Sequence, residues 1–278
     1  MRVATFGDLL LDVVVRLTEP LVAGSDVAAT TRVGAGGQAA NVAAWAAHLG
    51  ADATLVAVLA EDPAGTIVQK ELLRMHIHVH GPRSAGTTGV VVSLVGPDGE
   101  RSLASSPAAA ESFPPEELDA AWLDGADVLH LSGYPLVREG TCEAALLAAR
   151  LARSGGARLS VDVPPWTALR VFGPVRFREL LDALAPDVLF ATEAEWEMLG
   201  GAYLAAPLTV LKRGPRGITI VAPDARLDLA AIPGEVVDAT GAGDALAAGF
   251  LLGGSLEAAG RRGLEAAAAC VSKLGAMP

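Results

Sequence analysis

Residues 128–163 read VLHLSGYPLVREGTCEAALLAARLARSGGARLSVDV. The apolar run Val128–Leu131 predicts a short buried strand. Arg138–Ser154 repeats apolar side chains at helical spacing, and Arg158–Val163 is again strand-like. Strand, helix and strand in that order predict a βαβ unit with parallel strands covered on both faces.

The rhythm continues outward. Downstream, helices at Val175–Leu184 and Glu193–Leu199 alternate with strands at Val188–Phe190 and Thr209–Leu211. A hairpin around Gly214–Gly217 and helices at Ala242–Leu252 and Leu256–Lys273 follow. Upstream lie a helix at Pro115–Ala121, a strand at Arg2–Phe6, an apolar stretch Leu9–Leu17 carrying Asp12, a helix at Gln38–Leu49, a strand at Ala53–Leu59 and a helix at Pro63–Met75. Val27–Val33 is more polar, and Thr87–Val95 and Glu100–Ser105 flank the turn Gly96–Gly99. Such strands do not suit a doubly covered sheet and predict a small separate one inserted near the N-terminal half. The expected class is α/β, a three-layer αβα core with a mainly parallel central sheet, over residues 1–278 as a single domain.

Composition narrows the function. The 278 residues carry 21 basic and 32 acidic side chains, a net charge of −11. A chain without a basic stripe is a poor partner for nucleic acid, which demands clustered Lys and Arg. Hydrophobic residues reach 51%, yet no apolar run attains the roughly 18 residues of a membrane span. Cys142 and Cys270 are too few for a disulfide framework. These features predict a cytoplasmic protein. Asn occurs once, at Asn41, which marks its amide for attention.

Two motifs carry chemistry. In Val237-Asp238-Ala239-Thr240-Gly241-Ala242-Gly243-Asp244, small residues let successive N–H groups face one hollow at a helix start, an anion site. Asp244 in the first helical turn is placed to take a proton from a hydroxyl that attacks a phosphate there. The bland alternative is an acidic complement to the helix dipole. In Gly36-Gly37-Gln38-Ala39-Ala40-Asn41 the glycines admit a ligand close to the backbone, and the Asn41 amide can grip hydroxyls. Gly34–Ala39 also matches the dinucleotide fingerprint, but the polar Thr30–Val33 precedes it where a buried strand belongs. No P-loop and no Gly-x-Ser-x-Gly occurs. His76, His78 and His80 alternate along a strand-like stretch, a spacing open to metal binding or to a solvated edge.

With both motifs in this order, the chain resembles the ribokinase (phosphofructokinase-B) family of sugar and nucleoside kinases. Gly7–Asp12 is similar to the family's first substrate loop, Glu193–Gly201 to its Asn-x-x-Glu segment, and Lys212–Gly217 to its nucleotide-contacting turn. The resemblance implies a ribokinase-like core that binds ATP, with a β-sheet lid from strands within about 12–35 and 87–106. It implies Asp244 as general base and Gly241, Ala242 and Gly243 as anion hole. Asp12, Gly36, Gly37 and Asn41 would hold the substrate, and Lys212, Gly214, Gly217 and Thr240 the nucleotide. Glu195 would hold Mg²⁺ through water, and Asp238 stands where some relatives bind K⁺. Thr192 replaces the family's Asn, its hydroxyl able to hold a metal-bound water.

The expected activity is ATP-dependent phosphorylation of a hydroxymethyl group on a small sugar or sugar acid, by a homodimer paired through its lids. The alternatives are a nucleoside kinase and a non-catalytic sugar-binding protein on the same fold.

Overall fold

In a computed structural model, residues 1–98, 101–201 and 206–278 are described. The first part of the chain runs β1 (Arg2–Phe6), β2 (Leu10–Leu17), β3 (Ala29–Gly36), α1 (Gln38–His48), β4 (Asp52–Val56), β5 (Leu59–Ala60), α2 (Pro63–Arg74), β6 (His78–His80) and β7 (Arg83–Ser84). Then come β8 (Thr88–Val95), β9 (Arg101–Ala108), β10 (Val128–Leu131), α3 (Gly133–Val137), α4 (Glu139–Ser154), β11 (Arg158–Asp162), α5 (Trp166–Phe172) and α6 (Pro174–Leu184). The chain continues as β12 (Val188–Thr192), α7 (Glu193–Met198), β13 (Leu208–Lys212), β14 (Ile218–Ala222), β15 (Ala225–Leu229), α8 (Ala242–Leu251) and α9 (Leu256–Val271).

The central sheet has the order β15-β14-β13-β12-β11-β10-β1-β4-β6. It is parallel from β13 to β6 and antiparallel at β13–β14–β15. Strand side chains alternate between two cores. Val3, Leu55, Val188 and Phe190 face α1, α2, α8 and α9, while Phe6, Val56, Leu129 and Leu189 face α4, α6 and α7. The three-layer α/β core expected from the sequence is therefore present. α1 and α8 share one layer through buried alanines, among them Ala40, Ala44, Ala245 and Ala248. β1 has β4 on one side and β10 on the other, so the chain leaves β1 in opposite directions and a crevice opens at the carboxyl ends of β1 and β10, where open parallel sheets take ligands.

The polar strands form a second sheet, β3-β2-β8-β9. On one of its faces Val33 pairs with Val13, Val13 with Val92 and Val92 with Ala104. The opposite face carries Asp12, Val14 and Arg32. The tip of the β8–β9 hairpin, including Gly99 and Glu100, lies outside the described residues.

Several local expectations change. Pro115–Ala121 is not an α-helix but 3₁₀ turns at Pro115–Glu117 and Ala120–Leu123, because Leu118 is extended and the Asp119 carboxylate caps Ala121 N–H to restart the turn. The stretch Ala53–Leu59 ends at Val56, and Leu59 pairs instead with Arg83 in β7. His76 sits at a positive φ of 59°, before β6 begins, so the three imidazoles do not share a strand. His78 pairs with Asp52, and His80 stacks on Trp122. α3 and α5 were not anticipated. Among the described residues, no helix is long and apolar enough to cross a membrane.

Candidate active site

The side where the sequence expected the substrate is built from β2, β3 and α1. Gly36 ends β3, and a Cβ added to it would lie 2.1 Å from Asp12 Cγ. That position therefore excludes any side chain so that the Asp12 carboxylate fits. Gly37 caps α1, and Asn41 lies in the first turn. The Asn41 Nδ2 donates to Asp244 Oδ2 at 2.7 Å. Asn41 Oδ1 is buried without a hydrogen-bond partner among the described residues, an acceptor facing no donor.

Opposite stands the N-terminus of α8. Gly241 caps it with φ 77°, and a Cβ there would come within 2.6 Å of Ala276 Cβ. Ala242, Gly243 and Asp244 form the first turn, whose N–H groups have no intrahelical acceptor. Burial pushes the Asp244 carboxyl up to about 7, against the hydrogen bond from Asn41, and the nearby Asp162 adds to the rise. A carboxyl at that value is a proton acceptor near neutral pH.

The loop before α8 is held by Asp238. Its Oδ1 accepts from Thr240 N at 2.9 Å and Thr240 Oγ1 at 2.6 Å, and its Oδ2 accepts from Gly275 N at 3.0 Å. Neighbouring residues lock the same segment to the rest of the site. Trp45 Nε1 of α1 donates to Ala276 O at 2.8 Å, and Arg32 of β3 donates to Leu274 O.

Lys212 ends β13 and points into the crevice. Its Nζ lies 2.6 and 2.8 Å from the two Asp162 oxygens. Burial works against the Lys212 ammonium, but Asp162 and Glu195 outweigh it and hold the pKa above the ordinary lysine value. Thr192 caps α7 as a capping box with Glu195, whose Oε2 accepts Thr192 N–H at 2.7 Å. Burial raises the Glu195 pKa.

Gly214 and Gly217 belong to the turn between β13 and β14, where Arg213 N donates to Gly217 O at 2.9 Å. A Cβ on Gly217 would meet Leu229 O at 2.0 Å, so its packing is against the end of β15. Among the described residues no cluster of three or more His, Cys, Asp and Glu forms a metal cage. The donors present fit Mg²⁺ all the same, since that ion is held by one or two carboxylates together with nucleotide phosphates. The dinucleotide alternative fails, because Gly34–Gly36 lie in a strand antiparallel to β2 and not after a buried parallel one.

Sequence reasoning missed four members of the crevice. Asp162 closes β11 and Asp8 follows β1, both at strand carboxyl ends, a position that was the available signal. Arg138 Nη1 lies 2.8 Å from each Asp8 oxygen, and Gln38 Nε2 donates to Asp162 Oδ2 at 3.2 Å.

Comparison with known proteins bears on the fold and the family. The model for the pfkB family carbohydrate kinases matches residues 2–278. An ATP-dependent ribose-1-phosphate kinase of Halopiger xanaduensis is 32% identical, over 97% of this chain and 90% of that protein. Among solved structures, an adenosine kinase from Sinorhizobium meliloti superposes with a TM-score of 0.88 at 24% identity, over 99% of this chain and 95% of that one. A putative ribokinase II from E. coli, in complex with ATP and Mg²⁺, gives a TM-score of 0.86 at 19% identity, over 99% and 94%. The two structures bear on the fold, which is ribokinase-like as the sequence led one to expect. The match across nearly the whole chain bears on kinship: this chain belongs to the pfkB family of carbohydrate kinases.

Proposed function

We propose that the protein, as one kinase domain, transfers the γ-phosphoryl group of ATP to a hydroxymethyl group of a small sugar, sugar phosphate or sugar acid. The observation that carries this reading is Asp244. It lies half-buried in the first turn of α8, bonded to Asn41, with its carboxyl pushed up to about 7. A purely sugar-binding protein has no use for a proton acceptor beside an anion hole.

In this reading Asp12, Gly36, Gly37 and Asn41 hold the acceptor. Asp244 takes the hydroxyl proton as the oxygen forms its bond to the γ-phosphorus and the bond to ADP breaks. The amides of Gly241, Ala242 and Gly243 stabilise charge on the group in transfer. Lys212, Gly214, Gly217 and Thr240 serve the nucleotide. Glu195 holds Mg²⁺ through water, and that ion, when bound, neutralises charge on the nucleotide phosphates. Potassium would act at Asp238, whose oxygens already accept from Thr240 and Gly275, so its effect would run through the 238–241 loop.

The β3-β2-β8-β9 sheet, spanning strands within 12–35 and 87–106, serves as the lid. The valine face of that sheet supports lid-to-lid pairing in a homodimer. ATP as co-substrate fits a cytoplasmic location.

The test is ADP release from Mg-ATP with ribose 1-phosphate, ketoses, pentoses, sugar acids and nucleosides, with and without K⁺. Turnover of one sugar or sugar phosphate supports the reading. Turnover confined to nucleosides replaces it with the nucleoside alternative, and binding of sugar without consumption of ATP overturns it.

A further inference from the structure

Lys212 and Asp162 close neighbouring regions of one crevice, and the pairing is of an unusual kind. Asp162 is fully buried, and the Lys212 side chain is 15% exposed. Two of the three ammonium donors go to Asp162, and the third has no hydrogen-bond partner among the described residues. Asp162 Oδ2 also accepts from Gln38, at the first turn of α1, and Gln38 Oε1 accepts from Ser132 Oγ after β10. The chain Ser132–Gln38–Asp162–Lys212 thus runs from the floor of the crevice, past the acceptor helix, to the ammonium.

The ammonium also lies against the anion hole. A Cβ added to Gly243 would be 3.4 Å from Lys212 Nζ. Stability alone is a weak reason for such a pair, because buried ion pairs give little net gain over apolar packing of the same shape. A lysine held at two donors, with its third unused and α8 N–H groups beside it, is better explained by an anion that arrives later.

We propose that Asp162 is a positioning residue that fixes the Lys212 ammonium over the α8 N-terminus, so that Lys212 contacts the phosphoryl group in transfer and not the two phosphates that remain on ADP. The inference rests on the kinase reading above and narrows the role of Lys212 within it. The oxygens that Lys212 meets are present in ATP and absent from ADP. Its contribution is therefore selective between the two nucleotides. Gln38 joins this arrangement to the helix that carries Asn41.

Calorimetric titration with Mg-ADP and with the Mg complex of the non-hydrolysable β,γ-imido analogue of ATP tests it, on the wild type, Asp162→Asn, Lys212→Met and the double variant. Lys212→Met alone strands a buried carboxylate and risks misfolding; the double variant removes both charges with little change of shape. Loss of a charged hydrogen bond should weaken the ATP analogue about 10- to 100-fold in the double variant, with ADP affinity held within about threefold. Asp162→Asn should show the same selectivity to a lesser degree, with kcat falling more than the KM for acceptor rises. Equal weakening of both nucleotides, or of neither, overturns the inference and leaves the kinase reading standing. Failure of the wild type to bind either nucleotide overturns both.

Discussion

Asn41 and Asp244 are 203 positions apart in the chain, and their side chains meet at 2.7 Å. One hydrogen bond therefore joins α1, proposed to hold the acceptor, to the first turn of α8, proposed as the anion hole. Because Asn41 donates through Nδ2, its Oδ1 is turned away from Asp244 and stays buried without a hydrogen-bond partner among the described residues.

The first prediction concerns pH. With Asp244 at about 7, kcat/KM for the acceptor should rise through neutral pH and level off above it. The Asn41 hydrogen bond favours the charged carboxylate, so Asn41→Leu should move the acid limb to higher pH and lower activity at pH 7. A limb near pH 4 in the wild type would remove Asp244 from the role.

The same residue links activity to stability. Asp244→Asn should cut kcat by about 10²- to 10⁴-fold while acceptor still binds. The folded pKa of about 7 lies above the unfolded value of 3.8, so the fold favours the protonated acid. Wild-type stability is thus greatest below the unfolded value and declines as pH rises toward 7. In scanning calorimetry the variant should melt above the wild type at pH 8, with the gap closing as pH falls toward 4. A lower melting temperature for the variant at pH 8 would contradict this account.

Gly36→Ala tests the acceptor side. The new Cβ would overlap the Asp12 carboxylate at 2.1 Å and drive it out of place. We expect a large rise in the acceptor KM, with nucleotide affinity held. Unchanged KM would mean that Asp12 does not hold substrate.

The valine face of the β3-β2-β8-β9 sheet, the proposed lid, gives the fourth prediction. Val33 is 53% exposed, and it borders Val13, which in turn borders Val92. Val92→Asp should convert a dimer to a monomer in sedimentation velocity, with circular dichroism unchanged. A wild type that sediments as a monomer at all concentrations would refute the pairing.

How far the sequence could be read follows from what each feature depends on. The βαβ rhythm of 128–163 is local, and the strands and helix appear within a residue or two of expectation. Gly36–Asn41 and Asp238–Asp244 are also local, as turn and helix-start chemistry usually is. Lys212 was placed with the hairpin turn that follows it because the two are adjacent in sequence. Its side chain instead reaches across β12 to Asp162, 50 positions away, and no spacing rule encodes such a contact. The Asp8–Arg138 pair, 130 positions apart, escaped for the same reason. His76 misled because alternation alone does not reveal a backbone turn at positive φ.

The ties to Leu274, Gly275 and Ala276 have one more consequence. Arg32, Asp238 and Trp45 all reach this segment through its main-chain atoms. Peptide groups are the same in every residue, so side-chain identity at 274 and 276 matters little to these bonds. Gly275 is different, because its φ is 92° and a Cβ would lie 2.7 Å from Arg32 Nη1. Register, by contrast, is shared by β3, α1 and the loop before α8 at once. A saturation scan should therefore find 274 permissive to substitution and 276, whose buried methyl packs against Gly241, restricted to small residues, while a single-residue insertion or deletion there shifts three anchors together and abolishes turnover.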